Sequence, residues 1–296
     1  MKIGSWSVIV AVVSLSLTVC SAYVSLEKNM PNTWLMERHS DVLRIAHRGT
    51  SGYAPENTIA AFEHACNMGA DMIELDVQLS SDGHVVVIHD TKVNRTSTGK
   101  GKVHNMTLNQ LQKLDAGSWY DFRFKGQRIP TLDEILRRFG GKIPLLIEMK
   151  SPAINPGIEQ KTADLIRKHG LDKFSGKHPE LIVQSFHIAS LQRFHKILTD
   201  IPLAVLVSNP LELTDERIQE FVPFANYVNP SIAAVNEDNI RKIHNAGMKV
   251  FVWDVHHLLE IPPLLQAGVD GIITDYPDIV PTHIYSTKVS DTPQTP

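Results

Sequence analysis

MIELDVQLSSDGHVVVIHD, running from Met72 to Asp90, contains two apolar β-rich runs, Met72–Val77 and Val85–His89, separated by Ser80-Ser81-Asp82-Gly83. That composition marks a turn, and the gap is too short for a crossover helix, which takes a dozen residues or more. The second run therefore returns antiparallel, as a hairpin. Outward from it, similar runs recur at Leu43–His47, Pro144–Met149, Leu181–Ser185, Leu203–Val207, Asn226–Asn229, Lys249–Trp253 and Asp270–Thr274. Setting the hairpin's return strand aside leaves eight strands for a parallel sheet. Helical spacing fills most of the gaps: Thr58–Met68 before Gly69, Thr131–Phe139 before Gly140-Gly141, Ile158–Lys168 before Gly170, and Asn236–Asn245 before Gly247. Thr131 with Glu134 three residues on has capping-box spacing. This alternation predicts an α/β fold, a (β/α)8 TIM barrel over residues 42–282. A small insertion at about 90–130 follows strand two and its hairpin, with a short capped helix over Thr107–Leu114.

Composition agrees with one globular unit. The 296 residues are 43% hydrophobic and 21% charged, with a net charge of −3. That balance argues against disorder, a disulfide-stapled miniprotein and a multispan membrane protein, and it lacks the basic excess of a non-specific nucleic-acid binder. The first 22 residues differ. Lys2 is the only charge before Glu27, an apolar stretch runs from Trp6 to Val19, and small residues follow at Ser21 and Ala22. This reads as a signal peptide cleaved after Ala22, hence a secreted or cell-envelope-attached protein; an uncleaved membrane anchor is the competing reading. Residues 23–41 read as a lead-in and 283–296 as a flexible polar tail. Once Cys20 is removed, Cys66 is the remaining cysteine, expected as a buried free thiol.

In such a barrel, chemistry sits at the carboxyl ends of the strands. Glu74 and Asp76, two apart on one strand, face the same side. Two carboxylates in an apolar barrel interior repel each other unless a cation joins them, and Glu148 on a neighbouring strand supplies a third oxygen. Hard oxygen ligands suit Mg²⁺ or Ca²⁺. A salt-bridge network with Arg48 and Lys150 is the alternative use of the same acids. A turn centred between Ser81 and Asp82 puts His89 opposite Glu74, while His47 arrives from strand one. Two histidines beside such a cluster suit general acid and base roles. The other twelve of the 14 histidines have no comparable setting. Arg48, Lys150 and a metal together suit a phosphate group, which points to phosphodiester cleavage.

With these residues in view, the chain resembles the glycerophosphodiester phosphodiesterase family, from about Leu43 to Val280. The motifs are His47-Arg48-Gly49, Pro55-Glu56-Asn57-Thr58, Glu74-Leu75-Asp76-Val77, His89-Asp90, Glu148-Met149-Lys150, Gln184-Ser185-Phe186 and Thr274-Asp275-Tyr276-Pro277. One departure is Asn94, where relatives often have Asp. The resemblance implies a (β/α)8 barrel that hydrolyses glycerophosphodiesters, such as glycerophosphocholine, to glycerol 3-phosphate and an alcohol. It implies Glu74, Asp76 and Glu148 as ligands of one divalent cation, His47 and His89 as the acid/base pair, and Arg48 and Lys150 as phosphate binders. Glu56 and Asn57 would lie behind the metal site, with Glu56 an occasional ligand. Phe186 and Trp253 would form an apolar wall at the glycerol end. The nucleophile is either water or the substrate's own 2-hydroxyl. A lipid-directed phospholipase and a silent binding barrel are the competing functions. The exported members, which this chain resembles best, commonly use Ca²⁺.

Overall fold

The computed structural model of the protein describes residues 42–173 and 179–281. The signal or anchor expected at 1–22, the lead-in at 23–41 and the tail at 283–296 lie outside the described residues. Nine strands form one sheet: β1 Leu43–Ala46, β2 Met72–Leu79, β3 Val85–Val87, β4 Leu145–Met149, β5 Leu181–Ser185, β6 Leu203–Val207, β7 Tyr227–Pro230, β8 Lys249–Val255 and β9 Gly271–Thr274. Their order is β1-β9-β8-β7-β6-β5-β4-β2-β3, and a parallel β1–β2 pairing closes the ring. Eight parallel strands thus form the expected (β/α)8 barrel, and β3 hangs from β2 as the antiparallel return.

Helices follow the strands: α1 Ile59–Asn67, α3 Leu132–Phe139, α4 Ile158–Lys168, α5 Ile188–Ile197, α6 Asp215–Phe221, α7 Glu237–Asn245 and α8 Ile261–Ala267, of which α1, α3, α4 and α7 stand where the spacing places them and the other three fill gaps for which it names no helix. Thr131 and Glu134 make the capping box at the start of α3. In the insertion, α2 is a single capped turn, Leu108–Leu111, shorter than the Thr107–Leu114 expected. Residues of the insertion pack on a small core of their own, which includes Ile88, Val93, Val103, Leu111 and Ile129. Among the described residues, no helix is long and apolar enough to cross a membrane.

Two expectations are corrected. The hairpin pairs Val77 with Val87 and Leu79 with Val85, so its register is one residue away from the one that sets Glu74 opposite His89. Such a slip reverses the faces of a regular strand. Here β3 stops at Val87, and Gln78 Nε2 donates to the carbonyls of Ile88, His89 and Asp90, which bends the chain back towards the barrel mouth. Cys66 is exposed rather than buried. Helix α1 buries the stripe Ala61, Phe62 and Ala65, and Cys66 lies off it.

The barrel interior is layered. One buried layer takes a single residue from each parallel strand: Ile45, Met72, Leu146, Ile182, Ala204, Tyr227, Phe251 and Ile273. Side chains two residues further along each strand point the same way, one step nearer the carboxyl ends. Those residues are His47, Glu74, Glu148, Gln184, Leu206, Asn229, Trp253 and Asp275. An apolar plug therefore supports a polar floor.

Candidate active site

A cleft above that floor is lined by His47, Arg48, Glu74, His89, Glu148, Lys150, Gln184, Phe186, Trp253 and Asp254, among others. The cleft thus gathers residues expected from five different strands and the hairpin.

Strand β1 ends in a strained turn. Arg48 adopts φ 52°, uncommon for a residue with a side chain, and Gly49 φ 80°. A Cβ on Gly49 would meet the Ala61 backbone at 2.7 Å, so glycine lets β1 and α1 approach. The turn aims the Arg48 N–H at Glu74 Oε2, 2.9 Å away. Beside it, His47 Nδ1 lies 2.7 Å from Asp275 Oδ1, and Asp275 also accepts from Ser51 Oγ. His47 Nε2 faces Arg48 Nε at 3.2 Å and Asp254 Oδ1 at 3.4 Å. It accepts from the first when neutral and donates to the second when protonated, a position suited to passing a proton. Burial disfavours the imidazolium, but the Asp275 hydrogen bond and the charges of Glu74 and Asp254 outweigh it and push His47 up to about 9.

Glu74, Asp76 and Glu148 are buried, and one oxygen from each lies within 4.8 Å of the others. Burial and the charge of Asp76 raise Glu74 to about 8 and Glu148 to about 7. Burial acts on Asp76 too, but Lys150, Arg48 and His89 hold it down at about 2. Three carboxyls that cannot all ionise by themselves make an all-oxygen donor set that fits a hard divalent cation. Asn57, itself at φ 56°, fixes Asp76 by donating from Nδ2 at 2.8 Å and accepting the Asp76 N–H at 3.2 Å. Gln184 donates to Glu74 Oε1 at 3.2 Å and accepts from Asn229 at 2.9 Å, which ties the far side of the barrel to the triad.

The two expected phosphate binders flank these acids. Lys150 Nζ is 2.8 Å from Glu148 and 3.7 Å from Asp76, and Arg48 Nε is 3.5 Å from Asp76. Glu56 stands behind Arg48 rather than on the triad: one guanidinium N–H of Arg48 reaches it at 2.9 Å, and Arg95 holds both of its oxygens. Arg95 also clamps Asp90, whose other contact is His89 Nδ1 at 2.8 Å. Among the described residues His89 Nε2 has no hydrogen-bond partner, and His89 lines the cleft. Burial lowers His89, with Arg48 and Lys150 adding to it against Asp76 and Asp90. Phe186 and Trp253 meet edge to face at 5.5 Å and form one wall, with Lys150 Nζ 5.9 Å from the Phe186 ring centre. Asn94 caps a turn of the insertion by accepting from the Gly101 N–H at 2.9 Å.

Asp275, Asp254, Asp90, Arg95 and Gln184 were not among the expected site residues. Asp275 and Gln184 had a signal: each lies two residues beyond the inward apolar residue of its strand. Among the histidines set aside, His256 Nδ1 reaches the other oxygen of Asp275 at 3.3 Å.

Fold and floor define a class, the barrel enzymes that gather a buried acidic triad, two histidines and two cations at one mouth. Residues 47–279 match the Glycerophosphoryl diester phosphodiesterase family, and the chain belongs to it. It is 49% identical over 237 residues to YhdW of Bacillus subtilis, covering 80% of this chain and 95% of that one. It is 38% identical over 251 residues to a glycerophosphodiester phosphodiesterase of the same organism, covering 80% and 85%. Among solved structures it resembles an Oleispira antarctica phosphodiesterase in complex with the product sn-glycerol-3-phosphate, with a TM-score of 0.71 and 28% identity over 79% of this chain and 92% of that one.

Proposed function

We propose that this chain hydrolyses glycerophosphodiesters to sn-glycerol 3-phosphate and an alcohol, with a divalent cation held by Glu74, Asp76 and Glu148. The observation that carries this reading is the buried triad in one cleft with His47, His89, Arg48 and Lys150. A relative of the same fold holds sn-glycerol-3-phosphate, the product this reading expects.

Each residue has a part. Arg48 and Lys150, now paired with the acids, turn to the phosphate oxygens and neutralise them. One histidine takes a proton from the attacking hydroxyl and the other gives one to the departing alkoxide, through Nε2 in both cases, since each Nδ1 is held by an aspartate. Phe186 and Trp253 pack on the glycerol carbons. When bound, the cation supplies Lewis-acid polarisation of the phosphate. Ca²⁺ is the ion we favour, from the likeness to exported members, and export through residues 1–22 belongs to the same reading.

Phosphorus NMR of glycerophosphocholine incubated with the protein and Ca²⁺ or Mg²⁺ tests the proposal. Glycerol 3-phosphate should appear, and a cyclic phosphate preceding it would identify the 2-hydroxyl as nucleophile. An unchanged diester signal with either ion would overturn the reading.

A further inference from the structure

The insertion carries a charge unlike that of the rest of the chain. Residues 90–130 hold eight Lys and Arg against three Asp, a net of +5 in a chain whose total is −3. The three acids are already engaged: Asp90 with His89 and Arg95, Asp115 with backbone N–H groups, and Asp121 with Arg123. Lys92, Lys100, Lys102, Lys113, Lys125 and Arg128 are exposed and, among the described residues, have no ion pair.

Apolar exposure has the same address. Phe122 is 76% exposed and Trp119 37%, in a loop shared with Lys125, whose Nζ lies 5.3 Å from the Phe122 ring centre. Leu211, 81% exposed between β6 and α6, and Leu259, 71% exposed between β8 and α8, rise from the same face of the barrel. Of the large apolar side chains exposed among the described residues, only Val222, after α6, sits at the opposite end. Scattered apolar exposure is ordinary. Concentration on one face, with the unpaired Lys125 beside the Phe122 ring and further unpaired cations in the same insertion, is the pattern of a surface that meets lipid head groups. There the rings settle at the interface while the cations meet anionic phosphates.

We propose that the catalytic face docks on an anionic lipid bilayer, with the insertion as its cationic foot and Trp119 and Phe122 as anchors, so that the cleft opens towards the membrane. This goes beyond the phosphodiesterase reading and stands apart from it, since no residue of the cleft takes part.

The test uses the full chain with phosphatidylcholine vesicles, with and without phosphatidylglycerol. Flotation measures binding, and hydrogen–deuterium exchange measures protection at residues 117–127. Protection there is expected with the anionic vesicles alone and should weaken with salt. Phe122→Ser with Lys125→Glu should cut the bound fraction by about tenfold or more. So should Lys113→Glu with Arg128→Glu, which removes no aromatic anchor. Both variants should hydrolyse soluble glycerophosphocholine at the wild-type rate. Protection without any hydrolysis would sink the phosphodiesterase reading and leave docking intact. The docking proposal fails if 117–127 gain no protection, or if flotation is unchanged in both variants, which would place the contact elsewhere, such as the apolar residues 6–19. It also fails if heparin gives protection that survives Phe122→Ser, because the surface would then be a site for soluble polyanions.

Discussion

Asp275 at the end of β9 and His47 at the end of β1 lie 2.7 Å apart, Oδ1 to Nδ1, although 228 positions separate them in the chain. The pair sets the imidazole so that Nε2, not Nδ1, faces the cleft. Asp275→Asn keeps the shape and loses the acceptor charge. Its kcat should fall by about 10²-fold, the scale of losing a positioned acid or base. KM should change little, because Arg48 and Lys150, the proposed phosphate binders, are untouched. Partial recovery in Asp275→Glu would separate positioning from mere structural damage; equal kcat in wild type and Asp275→Asn would refute it.

In the proposed reaction one histidine serves as base and the other as acid. His47→Ala and His89→Ala should each cut turnover by about 10² or more. The double variant should lose much less than the product of the two effects, because residues that work as a unit are non-additive. Single-turnover rates on glycerophosphocholine check this, and wild-type turnover in either single variant contradicts the assignment.

The triad stores repulsion that a cation would relieve. Burial and Asp76 hold Glu74 and Glu148 well above the usual carboxylate range. Added Ca²⁺ or Mg²⁺ should therefore raise the Tm of chelator-treated protein, by a stabilisation of about 2.7 kcal/mol at a hundredfold excess over Kd. Asp76→Asn should abolish both the shift and the activity. Full activity in EDTA would rule out the metal site.

Asp115 anchors the loop that bears Trp119. It accepts the N–H groups of Gly117, Ser118 and Gly126 at 2.8, 2.8 and 2.9 Å. The Ser118 bond leads the effect that draws its pKa from 3.8 down to about 2. A group whose pKa falls on folding contributes stability above its unfolded value and loses it as pH drops through the folded value. Wild type should therefore melt above Asp115→Asn near neutral pH, and the gap should close between about pH 4 and pH 2. A gap that stays constant over that range would show that the carboxylate's charge is not what matters.

Much of the site was legible in the sequence because strand geometry is local. Alternation with period two placed Glu74 and Asp76 on one side, and the short Ser80–Gly83 gap separated β3 from the parallel set. The motif spacing then led to His47, His89, Glu148, Arg48 and Lys150. What stayed hidden depends on distance or on irregular backbone. Arg95 meets Glu56 only because the insertion folds back across 39 positions. Asp275 meets His47 only because the barrel closes. His89 reaches the cleft by a bend that Gln78 holds, not by the regular pairing that the hairpin arithmetic assumed.

By itself, then, the sequence determined the barrel, its eight parallel strands and which residue types would stand at their ends, since propensity, turns and periodicity act over a few residues. Only the tertiary structure decided which acid serves which partner. Asp76 stays ionised among cations while Glu74 and Glu148 are pushed towards protonation, and Glu56 goes to two arginines. Those outcomes depend on charges brought within a few ångströms of one another in a buried space, and no local pattern encodes that proximity.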